Sequence, residues 1–177
     1  MLKLRRERTG RHRVKWIGGI DLNIFVLDND PYKSAEMVLN KHAVKMPLES
    51  LQMMSTIADY LGFECPYKPV MLNHPCTIWA RTSKQNFQYL KNHFHGLCKT
   101  YTERYDKIHK CEITAAEYEP IWQRVIDSLP DDGLTPFAQA MPDHLKHHDA
   151  VIAYRNYYMT EKRHIAQWKN EIPSWWR

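Results

Sequence analysis

Glycine is scarce, six in 177 residues, and turn dipeptides of the Asn-Gly and Asp-Gly kind are few. That argues against a β-sandwich or barrel, which needs a turn signal every 8–12 residues or so. No apolar run approaches about 18 residues, so no membrane-spanning helix is encoded. The first 16 residues are basic and contain no apolar core, which excludes a secretory signal there. The four cysteines (Cys65, Cys76, Cys98, Cys111) form no Cys-x-x-Cys pair. They read as reduced, intracellular thiols. Internal repeats and low-complexity segments are absent, and nothing in the sequence calls for a cofactor.

The chain does have charge, unevenly placed. Residues 1–16 carry seven Lys and Arg against Glu7, a net of +6, while the whole chain is +5. Residues 17–177 are therefore close to neutral. Residues 1–21, ending in Gly18-Gly19 and a few flanking residues, read as a basic, disordered appendage. Residues 22–177 read as a single helical domain, large enough for a substantial core. The break in composition also suggests that translation starts at position 22. Gly18-Gly19 can be encoded as a ribosome-binding sequence, and Leu22 as a TTG start codon.

The domain is expected to be mainly α: a compact helical fold around one long central helix at about 76–107, with a short extended segment at 22–27. Trp79, Phe87, Leu90, Phe94, Leu97, Tyr101 and Tyr105 repeat at helical spacing and mark the inward face. Arg81, Lys84, Gln88, Lys91, His95 and Lys99 mark the outward one. Pro75 suits the first turn, with Asn73 or Thr77 as cap. Before it, Pro31 and Ser34 open a helix, Pro47 kinks or breaks the pattern, and a second piece runs to Leu61 with Gly62 as its stop. After it, a helix from Thr114 to Leu129 is expected, with Glu117 completing a capping box. The stretch 134–142 reads as ordered loop and His144–Lys169 as a last helix. Trp175 and Trp176 are expected to fold back onto the body.

Three groups of side chains suit chemistry. Lys41, His42, Lys45, Glu49 and Gln52 recur every three or four residues, so several share one helical side. A Glu, a Lys and a His so placed suit acid–base or Schiff-base catalysis; the alternative is an ordinary surface pair, Lys45 with Glu49. Trp79, Arg81, Lys84, Lys91 and Tyr101 combine cations with aromatics, as a nucleic-acid backbone and an unstacked base require. The pairs His74/Cys76 and His109/Cys111 together could make a zinc site, although neither spacing is a finger pattern.

Two resemblances add to this. The stretches 23–28 (Asn-Ile-Phe-Val-Leu-Asp), 41–46 (Lys-His-Ala-Val-Lys-Met), 73–81 (Asn-His-Pro-Cys-Thr-Ile-Trp-Ala-Arg), 101–105 (Tyr-Thr-Glu-Arg-Tyr) and 135–142 (Thr-Pro-Phe-Ala-Gln-Ala-Met-Pro) resemble a family of small phage proteins, frequent in phages of marine bacteria. That likeness brings no activity with it. The layout is also similar to phage pyrimidine-dimer DNA glycosylase, in which an α-amino group attacks the sugar C1′ and a Glu supports the chemistry. There the Glu follows a His by seven residues, as Glu49 follows His42. The basic residues flanking that Glu are replaced here by Leu48 and Gln52. This resemblance implies an enzyme of DNA repair, a glycosylase and lyase acting on damaged or modified DNA in the cytoplasm of a host cell. Glu49 would stabilise the developing sugar cation, and Lys41 or Lys45 would supply the amine if the tail is retained. Trp79 and Tyr101 would hold the flipped base. The alternative is a non-catalytic helical protein that binds nucleic acid or a host protein; a third is a zinc-stabilised module.

Overall fold

The computed structural model describes residues 22–177; the reading of 1–21 as an appendage lies outside the described residues. Seven helices follow in order: α1 Pro31–Glu36, α2 Asn40–Tyr60, α3 Pro75–Ala80, α4 Lys84–Tyr105, α5 Lys110–Glu117, α6 Glu119–Ser128 and α7 Ala150–Thr160. Short 3-10 turns at Asp143–Leu145 and Arg163–Ile165 flank α7. No strand occurs among the described residues, and none of the helices there is long and apolar enough to cross a membrane.

The mainly α expectation holds, and α4 is the central post, packed against α1, α2, α3, α5 and α6. Its inward face is the expected one: Phe87, Leu90, Phe94 and Leu97 are completely buried. The expected single helix at 76–107 is nevertheless two. Ser83 takes an extended conformation, caps α4 by accepting from Asn86 N (3.2 Å), and donates to Gly133 O (2.7 Å). A serine that can satisfy an orphan helix N–H competes with continuation of the helix. The cap of α3 is His74, through Nδ1, in place of Asn73 or Thr77.

Of the kink or break expected at Pro47, the break does not occur: α2 runs through it, although its missing N–H costs one intrahelical bond. Burial of thirteen α2 side chains, Pro47 included, outweighs that loss. The expected 114–129 helix divides at Tyr118 into α5 and α6, with no capping box at Thr114. The last helix is shorter than expected, confined to 150–160 and capped by Asp149.

Close packing fixes α1 on α4. A Cβ at Gly96 would stand 2.8 Å from Ala35 Cβ, so only glycine allows this approach. Buried Arg104 then binds the end of α1, donating to Glu36 O (2.9 Å) and Val38 O (2.7 Å), and to Asn40 Oδ1 (3.2 Å). The C-terminal tail returns to the same corner as expected, with Trp168 Nε1 donating to Met37 O (2.9 Å) and Trp175 Nε1 lying 3.3 Å from Met37 Sδ.

Candidate active site

Residues 22–27 are all buried but pair with no strand. Their backbone groups are satisfied by side chains instead. Ser34 Oγ donates to Phe25 O (3.1 Å) and accepts from Leu27 N (2.9 Å), and Arg155 Nε donates to Leu27 O (2.9 Å). Asn23 folds the segment onto itself. Its Oδ1 accepts from Ile24 N (2.8 Å) and Phe25 N (3.3 Å), and its Nδ2 donates to Ala140 O (2.8 Å). Phe25 then adopts a left-handed φ of 54°, a conformation that costs a non-glycine residue free energy and survives only when its surroundings demand it. The outcome is that the Asn23 backbone N–H points at Glu49, 3.2 Å from Oε2.

Glu49 is only 1% exposed. It comes from the inward edge of α2 and pairs with Lys45 one turn earlier, at 3.0 Å, with the lysine half in solvent. The pair therefore joins a buried carboxylate to a half-exposed cation, and is not the ordinary surface pair of the alternative reading. Cys76, at the start of α3, faces the same carboxylate. Burial pushes its thiol up to about 12, and contact with the Ile24 backbone and the Tyr154 hydroxyl offsets this in part. The Tyr154 hydroxyl donates to Ala138 O (2.8 Å) and accepts from Ala140 N (3.2 Å), so α7 fixes the 138–140 loop that holds Asn23.

His42 stands one helical edge from Glu49. It stacks on Phe25 (4.2 Å, 19°), and its Nδ1 shares a 2.5 Å hydrogen bond with the Tyr158 hydroxyl. Burial, then the charges of Lys162 and Lys45, hold its pKa down to about 3. The lowered pKa favours the neutral ring, which packs flat against Phe25. Lys162 Nζ lies 5.0 Å from the Tyr157 ring and 6.0 Å from the Phe25 ring, which brings a second cation to the rim.

Of the sequence-predicted catalytic set, Glu49, Lys45 and His42 therefore meet around the 22–27 segment. Lys41 is exposed on the outer side of α2, with no ion-pair partner among the described residues. The predicted nucleic-acid residues are placed differently. Trp79 is buried against Phe137 (5.3 Å) and Tyr89 (5.9 Å). Arg81 donates to Leu72 O (2.5 Å) and lies over the Tyr60 ring. Lys84 pairs with Asp131 (3.1 Å) and Lys91 with Glu119. Tyr101 is half-buried between Tyr105 and His109.

The zinc reading gives way to a simpler one. His74 Nδ1 accepts from Cys76 N and His109 Nδ1 from Cys111 N, both at 3.1 Å, so each His-x-Cys is a helix cap. Among the described residues no three His, Cys, Asp or Glu side chains gather as a metal site would need. Sequence reasoning missed Asn23, Cys76, Tyr154, Tyr158 and Lys162 as parts of the site. Asn-Ile-Phe after a composition break was a usable signal for Asn23. Residues from α7 reach the site only through the fold.

The site is thus a buried carboxylate facing a backbone nitrogen, with lysines at its rim, in a small helical domain. The family model of the pyrimidine dimer DNA glycosylases matches residues 22–113, just over half of the chain. The chain belongs to that family, so its function is of the DNA-glycosylase type, with DNA as its substrate and DNA repair as its setting. No curated protein and no solved structure matches it.

Proposed function

We propose that this protein is a DNA glycosylase with abasic-site lyase activity, acting on damaged or modified bases. Pyrimidine dimers are the first substrate to test, because the family carries that description. The observation that carries the reading is the 3.2 Å approach of Asn23 N to the buried Glu49 carboxylate.

In a chain that continues upstream, the Asn23 nitrogen is an amide and no nucleophile. It stands in for an α-amine in a chain that begins at residue 23, or one residue away in a chain that begins at residue 22. The start of the family match at residue 22 supports such a start. The amine attacks C1′ of the deoxyribose, the C1′–N bond to the base breaks, and the base departs with a proton. Loss of the second amine proton and opening of the sugar ring leave a C1′ imine. Abstraction of a C2′ proton then expels the 3′ phosphate by β-elimination, and hydrolysis frees the enzyme. Glu49 stabilises the cationic sugar and carries protons, and its burial strengthens the attraction. Where the tail is retained, Lys45, already 3.0 Å from Glu49, is the next amine in reach, ahead of the exposed Lys41. Trp79 and Tyr101, with Arg81, Lys84 and Lys91, remain the candidates for base and backbone contacts, although reaching DNA requires them to leave the internal contacts described above.

Borohydride reduction in the presence of abasic-site and dimer-containing duplexes tests this. A covalent adduct is expected for the wild type and none for Glu49→Gln. Peptide mapping should place the sugar on the first residue of a 22–177 chain. Mapping to Lys45 would move the nucleophile to the lysine, and no adduct with either duplex would reject the activity.

A further inference from the structure

Tyr154, in the middle of α7, takes no part in the chemistry described above, and its side chain is completely buried. A buried hydroxyl costs free energy unless it is hydrogen-bonded, and a phenylalanine would fill the same space without that demand. Here the hydroxyl meets the Cys76 thiol and binds one stretch of chain twice. It donates to Ala138 O (2.8 Å) and accepts from Ala140 N (3.2 Å). Burial holds the phenol well above its ordinary pKa, so the proton it donates stays in place. Gln139, between the two, is tied on its other side. Its Nε2 donates to His147 O (2.5 Å), and its Oε1 accepts from His147 N (3.0 Å).

The loop fixed in this way has no regular secondary structure. Its Ala140 carbonyl accepts from Asn23 Nδ2 (2.8 Å), while Asn23 Oδ1 accepts from Ile24 N and Phe25 N. One carboxamide thus anchors residues 22–27, which have no strand partner, and sets the direction of their backbone. The Asn23 nitrogen ends the path, donating to Glu49 Oε2 at 3.2 Å. The path runs bond by bond from α7 to the carboxylate, and none of its earlier members has to touch a substrate.

We propose that Tyr154 is a positioning residue for the glycosylase reaction: through the 138–140 loop and the Asn23 carboxamide, it holds the residue-23 nitrogen against Glu49. The proposal rests on the glycosylase reading of Glu49. It applies to either amine. An α-amine at the start of the chain has to stand at the carboxylate, and Lys45, 3.0 Å from Glu49, needs that carboxylate held still. A misplacement of about 1 Å between reacting groups can cost about 100-fold in rate. Loosening the anchor should therefore slow the chemistry and spare the affinity.

The test uses the full-length protein and an abasic-site duplex under single-turnover conditions. Tyr154→Phe removes one oxygen and keeps the ring, which packs edge-on against Phe25 at 6.1 Å. Cleavage at saturating protein should slow about tenfold or more, while affinity for a duplex with a tetrahydrofuran abasic analogue changes less than about twofold. Asn23→Ala cuts the same path one step later and should give the same split. Because the two act in series, the double variant should be no slower than the slower single one, within about twofold. Should Tyr154→Phe fail to fold, Asn23→Ala and Gln139→Ala, both outside the α7 core, carry the test. An unchanged rate in the folded variants, equal losses of rate and affinity, or losses that multiply in the double variant would overturn the assignment. Wild-type protein that cleaves no abasic duplex would instead overturn the glycosylase reading, and the assignment with it.

Discussion

The two long helices, α2 with 21 residues and α4 with 22, pack against each other and carry similar ingredients. Each has a row of lysines on its polar side and one fully buried or nearly buried histidine, His42 and His93. Their lysines meet different fates. On α4, Lys84 pairs with Asp131, Lys91 with Glu119, and Lys99 lies 3.7 Å from Glu103 and 4.0 Å from Glu36. On α2, Lys41 has no such partner among the described residues, and the partner of Lys45 is the buried Glu49. A basic stripe on a helix is thus open to an outside anion only where its cations lack acidic partners, as at Lys41 among the described residues. The fold supplies them to α4 from α1, α6 and the 130–133 turn, and the α4 stripe serves to hold those elements in place.

The packing makes α4 the framework, while the chemistry proposed above falls on α2; the framework role has the largest expected effect. Phe94 is completely buried on the inward face of α4. Phe94→Ala should cost about 3–5 kcal/mol, from lost transfer energy and the cavity left behind. Urea denaturation measures it, and a loss below about 1 kcal/mol would deny α4 its central place. Trp79→Ala should behave likewise; a variant of normal stability that lost DNA binding would return Trp79 to the binding surface.

Glu49→Gln separates the two roles within α2. The amide keeps an acceptor for Asn23 N, so a stability loss of about 1–3 kcal/mol is expected. Turnover should fall about 100- to 1,000-fold, the usual cost of removing one preorganised electrostatic group. Undiminished single-turnover cleavage would strip Glu49 of its catalytic part.

Glu49, His42 and Lys45 were legible in the sequence because a helix turns spacing into proximity, and these three lie within two turns. The inward face of α4 was legible for the same reason. The break at 81–83 was not, since it depends on Ser83 reaching Gly133 fifty residues away. The run through Pro47 likewise reflects tertiary burial winning over local propensity. Tyr154 and Tyr158 were invisible as site residues because only the packing of α7 and the 138–140 loop against the 22–27 segment brings them to the site. The acids that pair with the α4 stripe could not be read from the sequence for a related reason: Asp131 and Glu119 are distant in sequence from Lys84 and Lys91.

The two buried histidines offer a smaller test. Both have pKa values near 3, against 6.5 for a free imidazole. The unfolded chain therefore takes up protons below pH 6.5 that the fold refuses. Their contribution to stability is complete above that pH and is lost as the pH falls toward 3, by about 1.4 kcal/mol per pH unit for each. The causes differ. Burial alone acts on His93, whereas Lys162 and Lys45 add to burial at His42. Raising the salt should weaken only the charge contribution at His42. Unfolding measured at pH 7 and pH 5 in low and high salt, with His42→Gln and His93→Gln, checks both points. Each variant should flatten the pH dependence, and only the one lacking His42 should lose the salt response. Identical pH slopes in all three proteins would refute the assignment.

The smallest expected effect is also the most direct comparison of the two stripes. Neutralising one phosphate releases bound counterions, so each lysine that touches the backbone adds about one to the slope of log affinity against log salt. Lys41→Ala should lower that slope by about one and weaken binding to abasic-site duplex in low salt. Lys91→Ala, which removes a cation already paired with Glu119, should leave the slope unchanged. Its cost should appear in stability instead, and stay within about 1 kcal/mol, because the carboxylate partner is half in solvent. Lys45→Ala is less clean, since it also removes an ion pair from the buried carboxylate. Fluorescence anisotropy over a salt series measures all three. A slope that responds to Lys91 and ignores Lys41 would move the DNA to α4, leaving the acids paired with that stripe as competitors that the duplex displaces on binding.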